Sequence, residues 1–206
     1  MTTPYLRAAP LMLVRPQDGA EIDLRPLQGL WTEEQYLKLT DHARALVEFT
    51  DGEIEVLPMP TSQHQIILAL LYELFVARIR PLGGKVLFAA LRVQIREGKQ
   101  REPDLLLLLD AHDPRRQERF WLGADLVAEI VSSDDPERDT VDKVVDYAEG
   151  GIPEYWIVNP LDETITIHTL VDSAYVVHGI FPRGTQATSV LLQDFAVDVN
   201  LVFDAE

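Results

Sequence analysis

Two acidic side chains interrupt segments of the sequence that are otherwise apolar. Asp104 stands at the head of five leucines in "EPDLLLLLD", residues 102–110, and Glu129 lies inside "LVAEIV", residues 126–131. Both segments have the length and composition of strands that are covered on both faces. Burial of a carboxylate is costly unless a cation lies nearby, so each acid requires an explanation.

The two acids are compatible with two kinds of chemistry. If their strands are neighbours, Asp104 and Glu129 together offer oxygen ligands to a hard cation. Mg²⁺ binds through one or two carboxylates and keeps several waters and substrate phosphates in its shell. The alternative is that each acid pairs with a separate structural arginine or lysine. The residues alone leave both alternatives open.

The segment 136–151 predicts a helix that carries a lysine. Asp139, Lys143 and Tyr147 are spaced four residues apart and therefore form one stripe. Lys143 is predicted at the edge of the apolar face, where its stem could be buried and its amine could reach the sheet. The predicted apolar face consists of Val141, Val144, Val145 and Ala148. The alternative is a surface Lys143 that pairs with Asp139.

Periodicity and turn residues predict the remaining elements. Helices are predicted at 31–43 and 61–80, a hairpin at 45–59, and strands at 85–97, 103–110, 124–133, 153–158 and 164–170. The proline-rich segment 1–30 is predicted to be irregular, and 171–206 to form short strands and a tail. With no repeat or linker, residues 1–206 are predicted to form a single α/β domain around one sheet.

Composition limits the classes of protein that the chain can belong to. The 206 residues include no cysteine, which excludes disulfides and thiolate metal sites. No apolar run is long enough for a membrane span or a signal peptide, so a cytoplasmic protein is predicted. The net charge of -16 argues against nucleic-acid binding. Residues 78–101, however, carry seven bases against one acid; the alternative for this stretch is a solvated surface.

The order of these motifs resembles a known family. "EPDLLLLL", "LVAEIVSS" and "RDTVDKVVDYAEGGIPEYWIVNP" are similar to segments of the Uma two family of restriction-endonuclease-like proteins. The hairpin "VEFTDGEIEVLPMPTSQHQ" is similar to the N-terminal segment of that family. The resemblance covers about 32–170, the predicted nuclease-like core. It implies the PD-(D/E)XK fold, with a central mixed β-sheet flanked by helices in the order αβββαβ, preceded by a helix and a hairpin.

The resemblance also implies a metal-dependent endonuclease site that acts on DNA. Asp104, Glu129 and the backbone carbonyl of Ile130 would hold Mg²⁺ or Mn²⁺. The superfamily lysine normally stands two residues after the second acid, where this chain has Val131. The resemblance therefore implies that Lys143, from the following helix, takes the place of that lysine.

Further residues receive secondary roles from the same resemblance. The positions that match the family around the site are His64, Glu48, Ser132, Asp139 and Tyr147. The phosphate backbone of the DNA would be bound by four basic residues: Arg92, Arg96, Lys99 and Arg101. The alternative function is a binding or partner-regulated protein that keeps the nuclease fold without robust catalysis, and hydrolysis of a small phosphate ester is a third reading. A homodimer is also expected.

Overall fold

The structure is a computed structural model that describes residues 11–43 and 45–206. The chain forms two compact units, one that ends at Pro58 and one that begins at Met59. They are called the N-terminal and the C-terminal unit below. The interpretation of residues 1–206 as a single domain stays a prediction.

The N-terminal unit contains two hairpins and a helix. Its elements are β1 (Met12–Val14), β2 (Glu21–Asp23), a 3₁₀ turn (Arg25–Leu27), α1 (Glu33–Thr40), β3 (Val47–Thr50) and β4 (Glu53–Val56). β1 pairs with β2, and β3 pairs with β4, both antiparallel. The segment 1–30, predicted to be irregular, thus contains a hairpin in its described part, whose three-residue strands are too short for a periodic signal. Residues 1–10 lie outside the described residues.

Capping and turn chemistry explain α1 and the second hairpin. The Thr32 hydroxyl accepts a hydrogen bond from the Gln35 backbone N–H at 3.2 Å, and the Gln35 side chain accepts one from the Thr32 N–H at 2.9 Å. This reciprocal capping box starts the helix. Asp51 and Gly52 have φ angles of 48° and 92°, the positive values that two-residue hairpin loops require. The predicted helix and hairpin are confirmed.

The C-terminal unit contains a six-stranded mixed sheet. Its elements are α2 (Ser62–Ile79), a 3₁₀ turn (Arg80–Leu82), β5 (Lys85–Phe88), β6 (Val93–Arg96), β7 (Lys99–Arg101), β8 (Leu105–Leu108), β9 (Leu126–Ile130), a π-helical turn (Arg138–Asp142), α3 (Lys143–Glu149), β10 (Glu154–Asn159), β11 (Thr164–Val171), β12 (Ala174–Pro182), β13 (Gln186–Thr188), β14 (Ala196–Asp198) and α4 (Val199–Phe203). The strand order is β12-β11-β10-β9-β8-β5. β9 and β10 are parallel, and the other neighbours are antiparallel. The predicted α/β fold with a central mixed sheet is confirmed.

Helices cover the two faces of this sheet. Phe75 of α2 packs on one face with Leu105 and Leu107, whereas Tyr147 of α3 packs on the other face with Leu106 and Leu108. Successive side chains of a strand point to opposite faces, so the leucines of β8 pack alternately into the hydrophobic core on each side of the sheet. The run of leucines is therefore a strand that is buried on both sides, as predicted.

The longest helix, α2, has 18 residues and confirms the prediction for 61–80. It buries Ile67, Leu71, Phe75 and Ile79, which share one face. Across residues 11–43 and 45–206, no helix is both long and apolar enough to cross a membrane.

The segment 85–97, predicted as one long or bent strand, forms two strands with different partners. β5 pairs with β8, whereas β6 pairs with β7 around Gly98, whose φ is 80°. The apolar pattern identifies an extended chain, but long-range pairing decides where it is divided and which strand lies beside it. The hairpin β6–β7 is therefore an insertion in the predicted αβββαβ order.

Glu154, at the start of β10, is a fully buried carboxylate that anchors the loop before β14. Its Oε1 accepts hydrogen bonds from Trp156 Nε1 at 2.7 Å and from the Ser189 hydroxyl at 2.6 Å. Its Oε2 accepts from the backbone N–H groups of Val190 and Leu191 at 2.7 and 2.8 Å. Four donors thus compensate the desolvation of one carboxylate.

The substitution Glu154→Gln is expected to lower the free energy of unfolding by about 2–4 kcal/mol, because an amide nitrogen would leave two buried donors without an acceptor. Urea unfolding followed by circular dichroism measures this loss. Glu163→Gln is the matched control, since Glu163 is half-exposed in its ion pair with Arg183; it is expected to leave stability nearly unchanged. Equal losses in the two variants would contradict the anchoring role of Glu154.

Candidate active site

The pairing of β8 with β9 brings the two anomalous acids together. Leu105 is opposite Ala128 in this antiparallel pair, so Asp104 and Glu129 occupy the next opposed positions. The Asp104 backbone N–H donates to Glu129 Oε2 at 3.2 Å, and the Ile130 N–H donates to Asp104 Oδ2 at 2.8 Å. Each acid thereby holds the backbone of the other strand, and both carboxylates are fixed on rigid elements.

Lys143 reaches this pair from α3. Its Nζ lies 2.9 Å from Glu129 Oε1 and 3.1 Å from Asp139 Oδ1, and its side chain is only 5% exposed. The Tyr147 hydroxyl donates to the same Glu129 oxygen. Lys143 is therefore a buried residue of the cluster and not a surface lysine, although it does contact Asp139.

The orientation of α3 differs from the prediction. Val141 and Val145, predicted on the apolar face, are 54% and 65% exposed, whereas Lys143 and Tyr147 are buried. The π-helical turn before α3 ends with a hydrogen bond from the Lys143 N–H to the Arg138 carbonyl. This turn contains one residue more than an α-helical turn and changes the phase of the residues that follow. The predicted apolar face is therefore wrong for Val141 and Val145, whereas Val144 is half-buried and packs against the core that contains Tyr147.

His64, in the first turn of α2, contacts the carboxylate of Asp104. Its Nε2 lies 3.0 Å from Asp104 Oδ2, and both side chains are about 15% exposed or less. Burial lowers the pKa of His64, but the hydrogen bond to Asp104 and attraction by Asp104 and Asp139 outweigh burial, so the pKa is raised overall. Thr61 orients this turn because its hydroxyl accepts from the His64 backbone N–H at 3.2 Å.

Repulsion among the acids of the cluster affects the protonation of Glu129. Burial, together with repulsion by Asp104 and Asp139, raises the pKa of the Glu129 carboxyl well above its usual range, against the opposing effects of Lys143 and Tyr147. A divalent cation beside these carboxylates would relieve the repulsion.

The oxygen donors of the cluster fit a hard cation. Across residues 11–43 and 45–206, Asp104 Oδ1 has no hydrogen-bond donor, because His64 and Ile130 both contact Oδ2. Glu129 Oε2 faces Asp104 and receives a single backbone donor. Within the same residues, no group of three histidine, cysteine or acidic side chains is arranged to hold a metal. Two carboxylates completed by waters remain a suitable shell for Mg²⁺ or Mn²⁺.

Three further residues were predicted at the site: Ser132, Glu48 and, through its carbonyl, Ile130. Ser132 accepts a hydrogen bond from the Asp134 N–H at 3.4 Å, a contact within the turn after β9. Glu48 lies in β3 of the N-terminal unit and is buried. The role of the Ile130 carbonyl as a ligand, like the roles of Ser132 and Glu48, stays a prediction.

Three of the four predicted phosphate-binding bases take part in ion pairs within the C-terminal unit. Lys99 Nζ lies 2.7 Å from Asp146 Oδ1, and Arg101 pairs with the other oxygen of Asp146 at 2.6 Å. Arg96 pairs with Glu149 at 2.7 Å. The charges of these three bases are thus partly balanced inside the protein.

Arg92 precedes β6, and its carbonyl accepts from the Trp121 N–H at 2.9 Å. Contact of these bases with a substrate stays a prediction.

Sequence reasoning missed Asp146, which lies on the same face of α3 as Lys143 and Tyr147. The signal was present in two patterns. Polar residues at 143, 146 and 147 have the spacing of one helical face, and Lys99 and Arg101 alternate as neighbours on one face of a strand. Only the packing of α3 against β7 shows that the two patterns meet.

The sheet, its two helical layers and the paired acids define a restriction-endonuclease-like fold. A crystal structure described as that of "a putative nuclease belonging to DUF820 from Anabaena variabilis ATCC 29413" has the same fold, with a TM-score of 0.72. The similarity covers 84% of this chain and 98% of that chain, at 18% sequence identity. At this identity the likeness shows the fold alone.

The family follows from the sequence itself. The profile of the Uma2 family, described as "Putative restriction endonuclease", matches residues 33–200, and the chain belongs to this family. The resemblance to the Uma two family is thereby confirmed. No curated protein matches the chain significantly.

Proposed function

We propose that the protein is a divalent-metal-dependent endonuclease that hydrolyses DNA phosphodiester bonds. The observation that carries the proposal is the contact of Lys143 with Glu129 at 2.9 Å, beside Asp104 on the neighbouring strand. The family and the fold support the nuclease class. The cluster supplies two carboxylates that could hold a metal and a positively charged lysine, Lys143, which are groups that assist phosphodiester hydrolysis.

Each residue of the cluster has a separate role in this proposal. Asp104 and Glu129 would hold Mg²⁺ or Mn²⁺, which when bound lowers the pKa of a coordinated water and stabilises charge on the phosphate. Lys143 would orient the attacking water or neutralise charge on the phosphoryl oxygens. His64 and Tyr147 would orient Asp104 and Glu129 through the hydrogen bonds described above.

Plasmid cleavage tests the proposal directly. Supercoiled DNA incubated with the protein and millimolar Mg²⁺ or Mn²⁺ is expected to become nicked and linear. Removal of the metal with EDTA is expected to stop cleavage, because the two carboxylates alone cannot activate water, and excess metal is expected to restore it. Gel electrophoresis measures the products. Absence of cleavage with either metal, or cleavage that persists in EDTA, would contradict the proposal.

The internal pairing of the basic residues favours a second candidate function. Lys99, Arg101 and Arg96 already pair with acids of α3, and the chain carries a net charge of -16, so DNA would be attracted weakly. In this candidate, the protein binds a basic partner and keeps the nuclease fold without robust catalysis. Calorimetry with Mg²⁺ or Mn²⁺ distinguishes the two, since the second candidate expects no metal binding at millimolar concentration.

The oligomeric state and the cellular location of the protein remain predictions. A homodimer and a cytoplasmic location are predicted from the sequence, and neither enters the chemistry proposed for the cluster. Sedimentation velocity of the purified chain would measure its oligomeric state.

A further inference from the structure

The rotation of α3 about its axis decides whether Lys143 faces Glu129. An amphipathic helix usually fixes its rotation by burying an apolar stripe. In α3, the buried residues are Lys143, Asp146 and Tyr147, and two of the three are charged. Polar contacts must therefore contribute to the rotation of this helix.

Asp146 connects α3 to β7 through two ion pairs. Its Oδ1 accepts from Lys99 Nζ at 2.7 Å, and its Oδ2 accepts from Arg101 Nε at 2.8 Å. All three side chains are 10–12% exposed, so solvent and salt screen these ion pairs weakly. Burial lowers the pKa of Lys99, but Asp146 and Glu149 outweigh burial and raise it, which keeps the lysine charged.

The end of α3 is fixed against the same hairpin. Glu149 accepts from Arg96 Nε at 2.7 Å and from Lys99 Nζ at 2.5 Å. At Gly150, a Cβ would lie 3.3 Å from a methyl carbon of Ile95 in β6, so the backbone approaches the strand closely. The hairpin β6–β7 thus contacts the last turn of α3 at several points.

We infer that Asp146 is a positioning residue for Lys143: its ion pairs with Lys99 and Arg101 fix the rotation of α3 that directs the Lys143 amine at Glu129. Asp146 follows Lys143 by three residues, so the two side chains are neighbours on one helical face. The catalytic meaning of this inference rests on the proposed function, whereas the positioning itself is a property of the fold.

The accessibility of Lys143 tests the inference without any assay of cleavage. Asp146→Asn keeps the size of the side chain and removes its charge. The folded wild type and variant are treated with acetic anhydride, and the acetylation rate of each lysine is measured by peptide mass spectrometry. Lys143 is expected to react several-fold faster in the variant, relative to the exposed Lys38 of α1 as an internal reference. An equal Lys143 rate in the two proteins would overturn the inference.

A matched control separates positioning from general destabilisation. Glu154→Gln weakens a different buried carboxylate, and each protein is labelled at the same interval below its own melting temperature. Faster labelling of Lys143 in Asp146→Asn alone supports the inference, whereas equally fast labelling in both variants overturns it. If Asp146→Asn does not fold, Lys99→Gln removes one of the two cations and allows the same comparison.

Cleavage kinetics give a second readout. In a wild type that cleaves DNA, Asp146→Asn is expected to lower kcat by about 10–100-fold with KM little changed, as for other residues that orient the groups of a metal site. An unchanged kcat would overturn the inference. A wild type that does not cleave contradicts the proposed function, and the labelling experiment still decides whether Asp146 positions Lys143.

Discussion

Lys143→Met is expected to lower the cleavage rate by about 10²–10³-fold, because it removes a fixed positive charge from the proposed reaction centre. The same change is expected to lower the free energy of unfolding by about 3–5 kcal/mol, since Glu129 and Asp139 lose their buried cation. Plasmid cleavage and urea unfolding measure the two effects. This variant distinguishes a lysine that is part of the site from one that merely lies near it.

The control for Lys143→Met is the same change at an exposed helical lysine. Lys38 of α1 is 71% exposed in its pair with Glu34, so Lys38→Met is expected to alter neither cleavage nor stability measurably. Lys143→Arg keeps the charge and is expected to retain more of the cleavage rate and more of the stability than Lys143→Met. A Lys143→Met protein that cleaves at the wild-type rate would exclude the proposed role of this residue.

Asp104→Asn and Glu129→Gln are each expected to lower the cleavage rate by about 10³-fold or more, because a metal-bound water contributes several kcal/mol to such reactions. Both substitutions keep the shape of the side chain and remove the charge that would hold the cation. Calorimetry with Mn²⁺ is expected to show weakened binding in parallel. Loss of binding together with loss of cleavage would assign the two carboxylates to the metal.

Asp110→Asn is the matched control for these variants, because Asp110 is an exposed acid at the opposite end of the leucine run. Its carboxylate accepts from the His112 N–H at 2.8 Å in a turn. Metal binding and cleavage are expected to be unchanged in this variant. Wild-type metal binding in both Asp104→Asn and Glu129→Gln would place the cation elsewhere.

Much of the candidate site was predictable because its two acids violate local rules. Asp104 and Glu129 stand in segments whose other residues are buried, and a charge in such a segment indicates a partner or a function. The helix that carries Lys143 was predictable as an element, since its turn residues and glycines lie within its own segment. The sequence suggested that the strands of Asp104 and Glu129 are neighbours, and the family resemblance implied that the two acids share a site. Neither predicted that the two residues stand directly opposite each other.

The face of α3 that meets the sheet was not predictable from periodicity. Val141 and Val145 suggested an apolar face, yet both are exposed, whereas Lys143 and Tyr147 are buried. The contacts that hold this rotation come from other elements: Glu129 of β9 pairs with Lys143, and Lys99 and Arg101 of β7 pair with Asp146. The same holds for Lys99, which would read as a free surface base until its contact with Asp146 is known.

The sequence by itself determined most strands and helices between residues 31 and 170 and the two acids in apolar segments, because these depend on side chains within a few residues of one another. It did not indicate the hairpin β1–β2. Tertiary structure alone decided that 85–97 divides between two pairings, that Glu154 anchors a distant loop, and that Lys143 is buried against Glu129. Those features depend on ion pairs and hydrogen bonds between residues far apart in the chain. Local periodicity carries no information about such partners.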